Sequence, residues 1–269
     1  MTASNFLEMA DQLARRAGVQ DGIQSYFQQH RSRLLGMLDH FHLWEVTHAR
    51  LLEIGPFFSY TPFLFQRQGN EVSVLEGNDP VVAPLLPLYQ EEGIACQAVN
   101  LLRVFALATD GPGRLPYADG QFDAVVCFEM MEHLNFNPVV FVRELRRILK
   151  PGGRAYVQVP NLVKLDSRIQ LLLGKTIRTP VDEYYQFADY NCGEFLGFHW
   201  REYALGELVD LFSRSQFQIE QACHVMSFQD RTQCGLGRRV KRLLGQGAVA
   251  LVPSLATNCA LIARKKAED

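Results

Sequence analysis

The 269-residue sequence predicts an α/β fold: a doubly wound, mostly parallel sheet of seven strands with helices on both faces. Short apolar segments alternate with amphipathic ones at regular spacing from residue 50 onward, which is the texture of successive βαβ units. Residues 121–128 (QFDAVVCF) are too apolar for a strand with one face in water and belong mid-sheet. Helix start and stop signals fall between the strands, where crossover connections need them.

Taken in order, residues 1–48 show no strand pattern. Phe6, Met9 and Leu13, then Phe27, Leu34 and Leu38, recur at helical spacing, so this stretch reads as an N-terminal extension of two or three amphipathic helices. Residues 49–269 form the main domain. Leu51, Leu52, Glu53 and Ile54 make a buried strand ended by Gly55, followed by a helix over 61–68. A second strand spans 71–75, a proline-bearing helix 80–92 and a third strand 94–99. After the fourth strand at 121–128, Asn137 supplies an N-cap and Pro138 the first helical position. Phe141, Leu145, Ile148 and Leu149 then form one apolar stripe. Pro151-Gly152-Gly153 reads as the stop, and Ala155, Val157 and Val159 as the fifth strand. The alternation lapses over about 161–200, an insertion long enough to be a functional cap. A helix over 201–214 and strands near 217–225 and 257–263 complete the chain.

Composition narrows the function classes. Lys and Arg total 27 against 29 Asp and Glu, so no whole-molecule field attracts nucleic acid. The six cysteines form no C-x-x-C pair, and no metal-ligand spacing stands out, so neither a disulfide framework nor a metal site is expected. The N-terminus carries acids where a signal peptide needs apolar residues, and no run reaches the roughly 18 apolar residues of a membrane span. A cytoplasmic protein is the expectation.

In a doubly wound sheet the ligand lies beyond the carboxyl ends of the strands, at the switch in strand order. Four strand ends hold suggestive residues. Glu53-Ile54-Gly55-Pro56-Phe57 pairs an acid with a glycine that lets backbone approach a ligand. Glu76-Gly77 ends strand two, where a carboxylate can accept from both hydroxyls of a ribose. Asn100 and Leu101 follow strand three and suit an adenine edge. Glu129 follows Phe128 after strand four, with Glu132-His133 close behind. A glycine after a strand is commonly only a turn, so the order of these four places carries more weight than any one of them.

The run LPYADGQFDAVVCFEMMEHL, followed by FVRELRRILKPGGRAYVQVPN, resembles the core of class I S-adenosylmethionine-dependent methyltransferases of the ubiquinone-pathway and small-metabolite type. The resemblance runs from about residue 50 to 161 and resumes weakly at His199. It implies a Rossmann-like fold and S-adenosyl-L-methionine as cofactor. Glu53 and Gly55, with Pro56 and Phe57, would meet the methionine part. Glu76 and Gly77 would meet the ribose, Asn100 and Leu101 the adenine, and Phe128 and Glu129 would border the sulfonium. The family commonly has G-x-G-x-G, whereas Phe57 and Ser59 stand at the second and third glycine positions here. The same Pro-Phe-Phe loop obstructs the close backbone approach that a dinucleotide pyrophosphate requires.

On the acceptor side, His133 is placed by the resemblance as a general base, with His199 second; His133 packing its own turn is the structural alternative. Tyr184, Tyr185 and Tyr190 belong to an aromatic cluster that either lines an acceptor pocket or fills a cap core. Arg201 holds an anionic acceptor group or caps the insertion through an ion pair. The basic, leucine-bearing stretch 236–244 is a candidate for weak contact with a membrane surface or a plain solvated helix face. The N-terminal helices are a candidate lid or homodimer contact. The expected activity is methyl transfer to a small-molecule acceptor, at oxygen, of a sugar, glycolipid-type or secondary-metabolite class. The competing reading is an inactive binding or scaffold protein that kept the fold.

Overall fold

A computed structural model of the chain describes residues 1–18, 21–77, 82–107, 113–186, 198–227 and 247–267, with the side chains of 21–26 left aside. Its centre is one seven-stranded sheet. The strands are β1 (Arg50–Ile54), β2 (Glu71–Glu76), β3 (Ala95–Ala98), β4 (Phe122–Phe128), β5 (Leu149–Pro160), β6 (Phe217–Val225) and β7 (Asn258–Lys265), in the order β3-β2-β1-β4-β5-β7-β6. The first five pair in parallel, and β7 runs antiparallel to both β5 and β6. The order reverses between β1 and β4, which is where a doubly wound sheet opens a ligand crevice.

The helices that accompany the sheet include α1 (Ala3–Arg16), α2 (Asp21–His40), α3 (Thr61–Arg67), α4 (Leu86–Glu91), α5 (Leu101–Phe105), α6 (Pro138–Ile148), α7 (Leu165–Leu172), α8 (Val181–Gln186) and α9 (Leu205–Arg214). Because side chains alternate across a strand, neighbours in β1 and β4 feed opposite layers. Leu51, Ala124 and Val126 join one core with Phe6, Leu13, Leu34, Leu38 and Phe63. Leu52, Ile54, Val125 and Cys127 join the other with Phe141, Leu145, Leu208 and Phe212. The apolar stripes of α1 and α2 are therefore satisfied within the chain, as part of the main core. No described helix is long and apolar enough to cross a membrane.

Local chemistry explains the boundaries. Asn137 Oδ1 accepts from Val139 N at 3.0 Å and Pro138 opens α6, as the sequence predicts. The Pro151-Gly152-Gly153 segment departs from its reading as a simple stop. β5 already begins at Leu149, paired with Phe122, and the register shifts before Ala124 meets Arg154. Gly152 sits at φ +79°, and a Cβ on Gly153 would lie 2.9 Å from the Lys150 carbonyl, so the irregularity requires both glycines. The proline-bearing helix shrinks to a 3-10 turn and the six residues of α4, and α9 starts only at Leu205 because Tyr203 bridges to Asn161.

Candidate functional site

Beyond the carboxyl ends of β1, β2 and β4 lies a cavity of about 930 Å³. The ten positions expected to meet a cofactor, Glu53, Gly55, Pro56, Phe57, Glu76, Gly77, Asn100, Leu101, Phe128 and Glu129, all line it, together with His133 and His199. Its roof comes from α2, through Phe27, Arg33, Leu34 and Met37.

Glu53 ends β1 only 2% exposed. Its Oε1 accepts from Thr61 Oγ1 at 2.5 Å, while Oε2 is buried without a hydrogen-bond partner. Burial, reinforced by the nearby Glu76, pushes this carboxyl up to about 8 although the Thr61 hydroxyl pulls the other way. A carboxylate held like this is complementary to a cation that enters the cavity.

The loop after β1 keeps a glycine-like course without the glycines. Gly55 stands at φ +64°, and an added Cβ would meet Met130 Cγ at 2.8 Å. Gly55→Ala is therefore expected to cost about 2 kcal/mol, from the left-handed backbone together with the overpacking, and a thermal melt compared with the parent would show it. Phe57 and Tyr60 also occupy positive φ, at 50° and 58°. The compensation at Phe57 is a charge-assisted bond from its N–H to Glu76 Oε1 at 2.7 Å, with its ring edge-on to Phe58 at 4.8 Å. Glu76 thus clamps the loop. Asn100 Oδ1 caps α5 by accepting from Arg103 N at 3.0 Å, which leaves its amide N–H groups as the donors available to a ligand edge.

Glu129, at φ 50°, is the hub of the opposite wall. Its Oε2 pairs with Arg33 at 2.9 Å; its Oε1 accepts from Asn258 Nδ2 at 2.7 Å and Gln158 Nε2 at 3.1 Å. Phe128 stacks on Phe41 at 5.2 Å. Arg33, Gln158 and Asn258 were not legible as site residues, since each is defined by a partner far away in the chain.

At the acceptor side, His133 Nδ1 lies 2.9 Å from the Phe198 carbonyl, so it donates there and Nε2 keeps its lone pair. Burial, with His199 and Arg33 nearby, lowers its pKa to about 4. The His199 ring meets it edge-on at 4.9 Å, and His199 Nδ1 lies 3.2 Å from Glu202 Oε1. Trp200 N donates to the Glu132 carbonyl at 2.8 Å, and this bond brings the distant His199 back against the turn after β4.

The three described aromatic and basic residues assigned to the acceptor sit elsewhere. Tyr184 stacks on Phe198 at 4.7 Å, Tyr185 is 77% exposed, and neither lines the large cavity. Arg201 pairs with Glu207 at 2.8 Å beside a smaller cavity of about 450 Å³, in keeping with the ion-pair alternative. Tyr190 and the 236–244 stretch lie outside the described residues.

Residues 52–157 match the family described as a methyltransferase domain. Over these residues the chain is similar to methyltransferase domains. The chain is 32% identical over 111 residues to a Mycolicibacterium smegmatis protein named "Probable S-adenosylmethionine-dependent methyltransferase", covering 41% of this chain and 34% of that one. It is 28% identical over 113 residues to the ubiquinone biosynthesis O-methyltransferase of Xanthomonas campestris, covering 42% of this chain and 44% of the relative. The match thus spans well under two thirds of the length of either relative. Among solved structures, an S-adenosylmethionine-dependent methyltransferase from Mesorhizobium loti aligns with TM-score 0.54 at 14% identity, over 88% of this chain and 97% of that one. The [4+2]-cyclase SpnF aligns with TM-score 0.55 at 18% identity, over 89% and 82%. At these identities both likenesses concern the fold alone.

Proposed function

We propose that the protein is an S-adenosylmethionine-dependent methyltransferase acting on a hydroxyl oxygen of a small molecule, of a sugar, glycolipid-type or secondary-metabolite class. The observation that carries the reading is Glu53: a buried carboxylate with one oxygen unpartnered, at the head of a cavity whose next strand ends present Glu76 and Asn100. An abandoned pocket has no physical need to keep that acid, because an unpaired buried carboxyl costs stability.

In this reading Glu53 and the Gly55 loop hold the ammonium end of the cofactor, Glu76 accepts from ribose hydroxyls, and Asn100 donates to the adenine edge. When bound, the cofactor supplies an already activated methyl group. The chain's own contribution is to orient the acceptor in line, exclude water under the α2 roof, and accept a proton on the acceptor side. His133 Nε2, held neutral with its lone pair free, suits a hydroxyl acceptor, which must lose a proton.

Glu76→Ala removes both the ribose acceptor and the clamp on Phe57 N–H. It is expected to weaken S-adenosylhomocysteine binding by about 1.5–3 kcal/mol, or ten- to a hundredfold, by calorimetry. Affinity equal to the parent's would remove Glu76 from the site. The acceptor class is tested by following transfer of a labelled methyl group to hydroxylated sugars, glycolipids and phenolic metabolites. Label appearing only in amine acceptors would overturn the assignment to oxygen.

A further inference from the structure

Three ligand-type side chains converge on the acceptor side of the cavity. One donor atom each from Glu132, His133 and His199 lie within 4.8 Å of one another. Glu132 is 1% exposed, its Oε1 is 4.0 Å from His133 Nε2, and its Oε2 has no hydrogen-bond partner. The basic side chains among the cavity's described lining residues are spent elsewhere: Arg33 pairs with Glu129 at 2.9 Å and Lys164 with Glu202 at 3.2 Å. The charge of Arg33 reaches Glu132 but is shared with Glu129, with which Arg33 makes its ion pair.

We propose that Glu132, His133 and His199 hold a divalent first-row transition-metal ion that receives the acceptor's hydroxyl. One carboxylate and two imidazoles form a borderline donor set of the kind that takes Zn²⁺ or Mn²⁺. The bond from His133 Nδ1 to the Phe198 carbonyl is the outer contact that fixes the tautomer and aim of a metal-bound imidazole, leaving Nε2 for the ion. Ligands at about 2.0–2.2 Å from a common ion stand roughly 3 Å apart, so side-chain rotations of about an ångström close the cluster. Three protein ligands leave positions open for the acceptor. A hydroxyl bound there loses its proton to solvent more readily; the oxygen then forms its bond to the methyl carbon as the carbon–sulfur bond breaks, and S-adenosylhomocysteine leaves. His133 then acts through the ion rather than as a free base. The acceptor's part in this rests on the methyltransferase reading, but the metal site itself does not.

The test uses the full chain, freed of metal by a chelator and titrated with Co²⁺ as a spectroscopic probe and with Zn²⁺. The expected result is one equivalent of Co²⁺ with visible d–d bands, a rise in melting temperature on adding Zn²⁺, and at least tenfold weaker binding in each of Glu132→Gln, His133→Ala and His199→Ala. Glu132→Gln keeps the shape of a buried side chain whose Oε2 has no hydrogen-bond partner, so it is expected to fold and melt close to the metal-free parent while losing the metal-induced rise. No stoichiometric Co²⁺, or affinity unmoved by all three substitutions, overturns the proposal. Titration of the metal-free protein with S-adenosylhomocysteine separates the two readings. If it binds while Co²⁺ does not, the metal site falls and the methyltransferase reading stands. If Co²⁺ binds through these side chains while S-adenosylhomocysteine does not, the metal site stands and the methyltransferase reading falls.

Discussion

Glu53→Gln is expected to abolish measurable S-adenosylmethionine binding while making the ligand-free protein more stable above neutral pH. The two effects have one cause. In the free protein the Glu53 carboxyl is raised from an ordinary 4.5 to about 8 by burial, so the folded state holds its proton more tightly than the unfolded chain does. For a raised carboxyl the contribution is fully favourable below about pH 4.5, declines as pH rises towards 8, and is flat above that. The cost at high pH is roughly 3–5 kcal/mol. Glutamine carries no such charge, so chemical denaturation at pH 8.5 is expected to show the variant as the more stable protein, with parity near pH 4.5. Binding reverses the balance. An ammonium group beside Oε2 supplies the missing countercharge and drives Glu53 to ionise. Calorimetry at pH 7 in buffers of different ionisation enthalpy is therefore expected to show net release of most of one proton per ligand, a release that shrinks as the pH passes 8. A parent protein that binds the cofactor with no proton release at pH 7 would contradict this account of Glu53.

Deleting residues 1–42 is expected to leave a chain that does not fold. Phe6, Met9, Leu13, Leu34, Leu38 and Phe41 are buried in one cluster with the strands β1 and β4. Each contributes about 1.5–3 kcal/mol of burial, so the six together are worth about 9–18 kcal/mol, comparable to the whole 5–15 kcal/mol of stability typical of a domain. The deletion also removes Arg33 and leaves Glu129 without its ion-pair partner near the cavity. Circular dichroism and a thermal melt of the truncated chain check this. A cooperative transition near the parent's would mean that the helices are an appendage, as residues 1–48 first suggest in the sequence.

The architecture was legible because burial on two faces writes itself into the strands. Leu51-Leu52 in β1 and Val125-Val126 in β4 serve opposite cores at adjacent positions, which only a covered central strand permits. The residues at the strand ends were legible for a related reason: crevice geometry fixes where Glu53, Glu76, Asn100 and Glu129 must lie once the strands are placed. Long-range pairing was not. Arg33 and Glu129 are 96 positions apart, and nothing local distinguishes Arg33 from Arg31 two residues earlier. The Glu132, His133 and His199 cluster stayed hidden for the same reason, since it depends on Trp200 N returning to the Glu132 carbonyl. Phe57 looked like a lost glycine, and its positive φ became intelligible only with the bond to Glu76. The exposure of Tyr185 and the pairing of Arg201 with Glu207 likewise depend on how the insertion folds back, which residue types alone do not encode.

The most direct test of the central claim is a calorimetric titration of the parent protein with S-adenosylmethionine and S-adenosylhomocysteine at pH 7, with NAD as the control. The account predicts micromolar, one-to-one binding of the first two, lost in Glu53→Gln, and no binding of NAD. Well-folded protein that binds neither methionine derivative would contradict it and make the fold a scaffold.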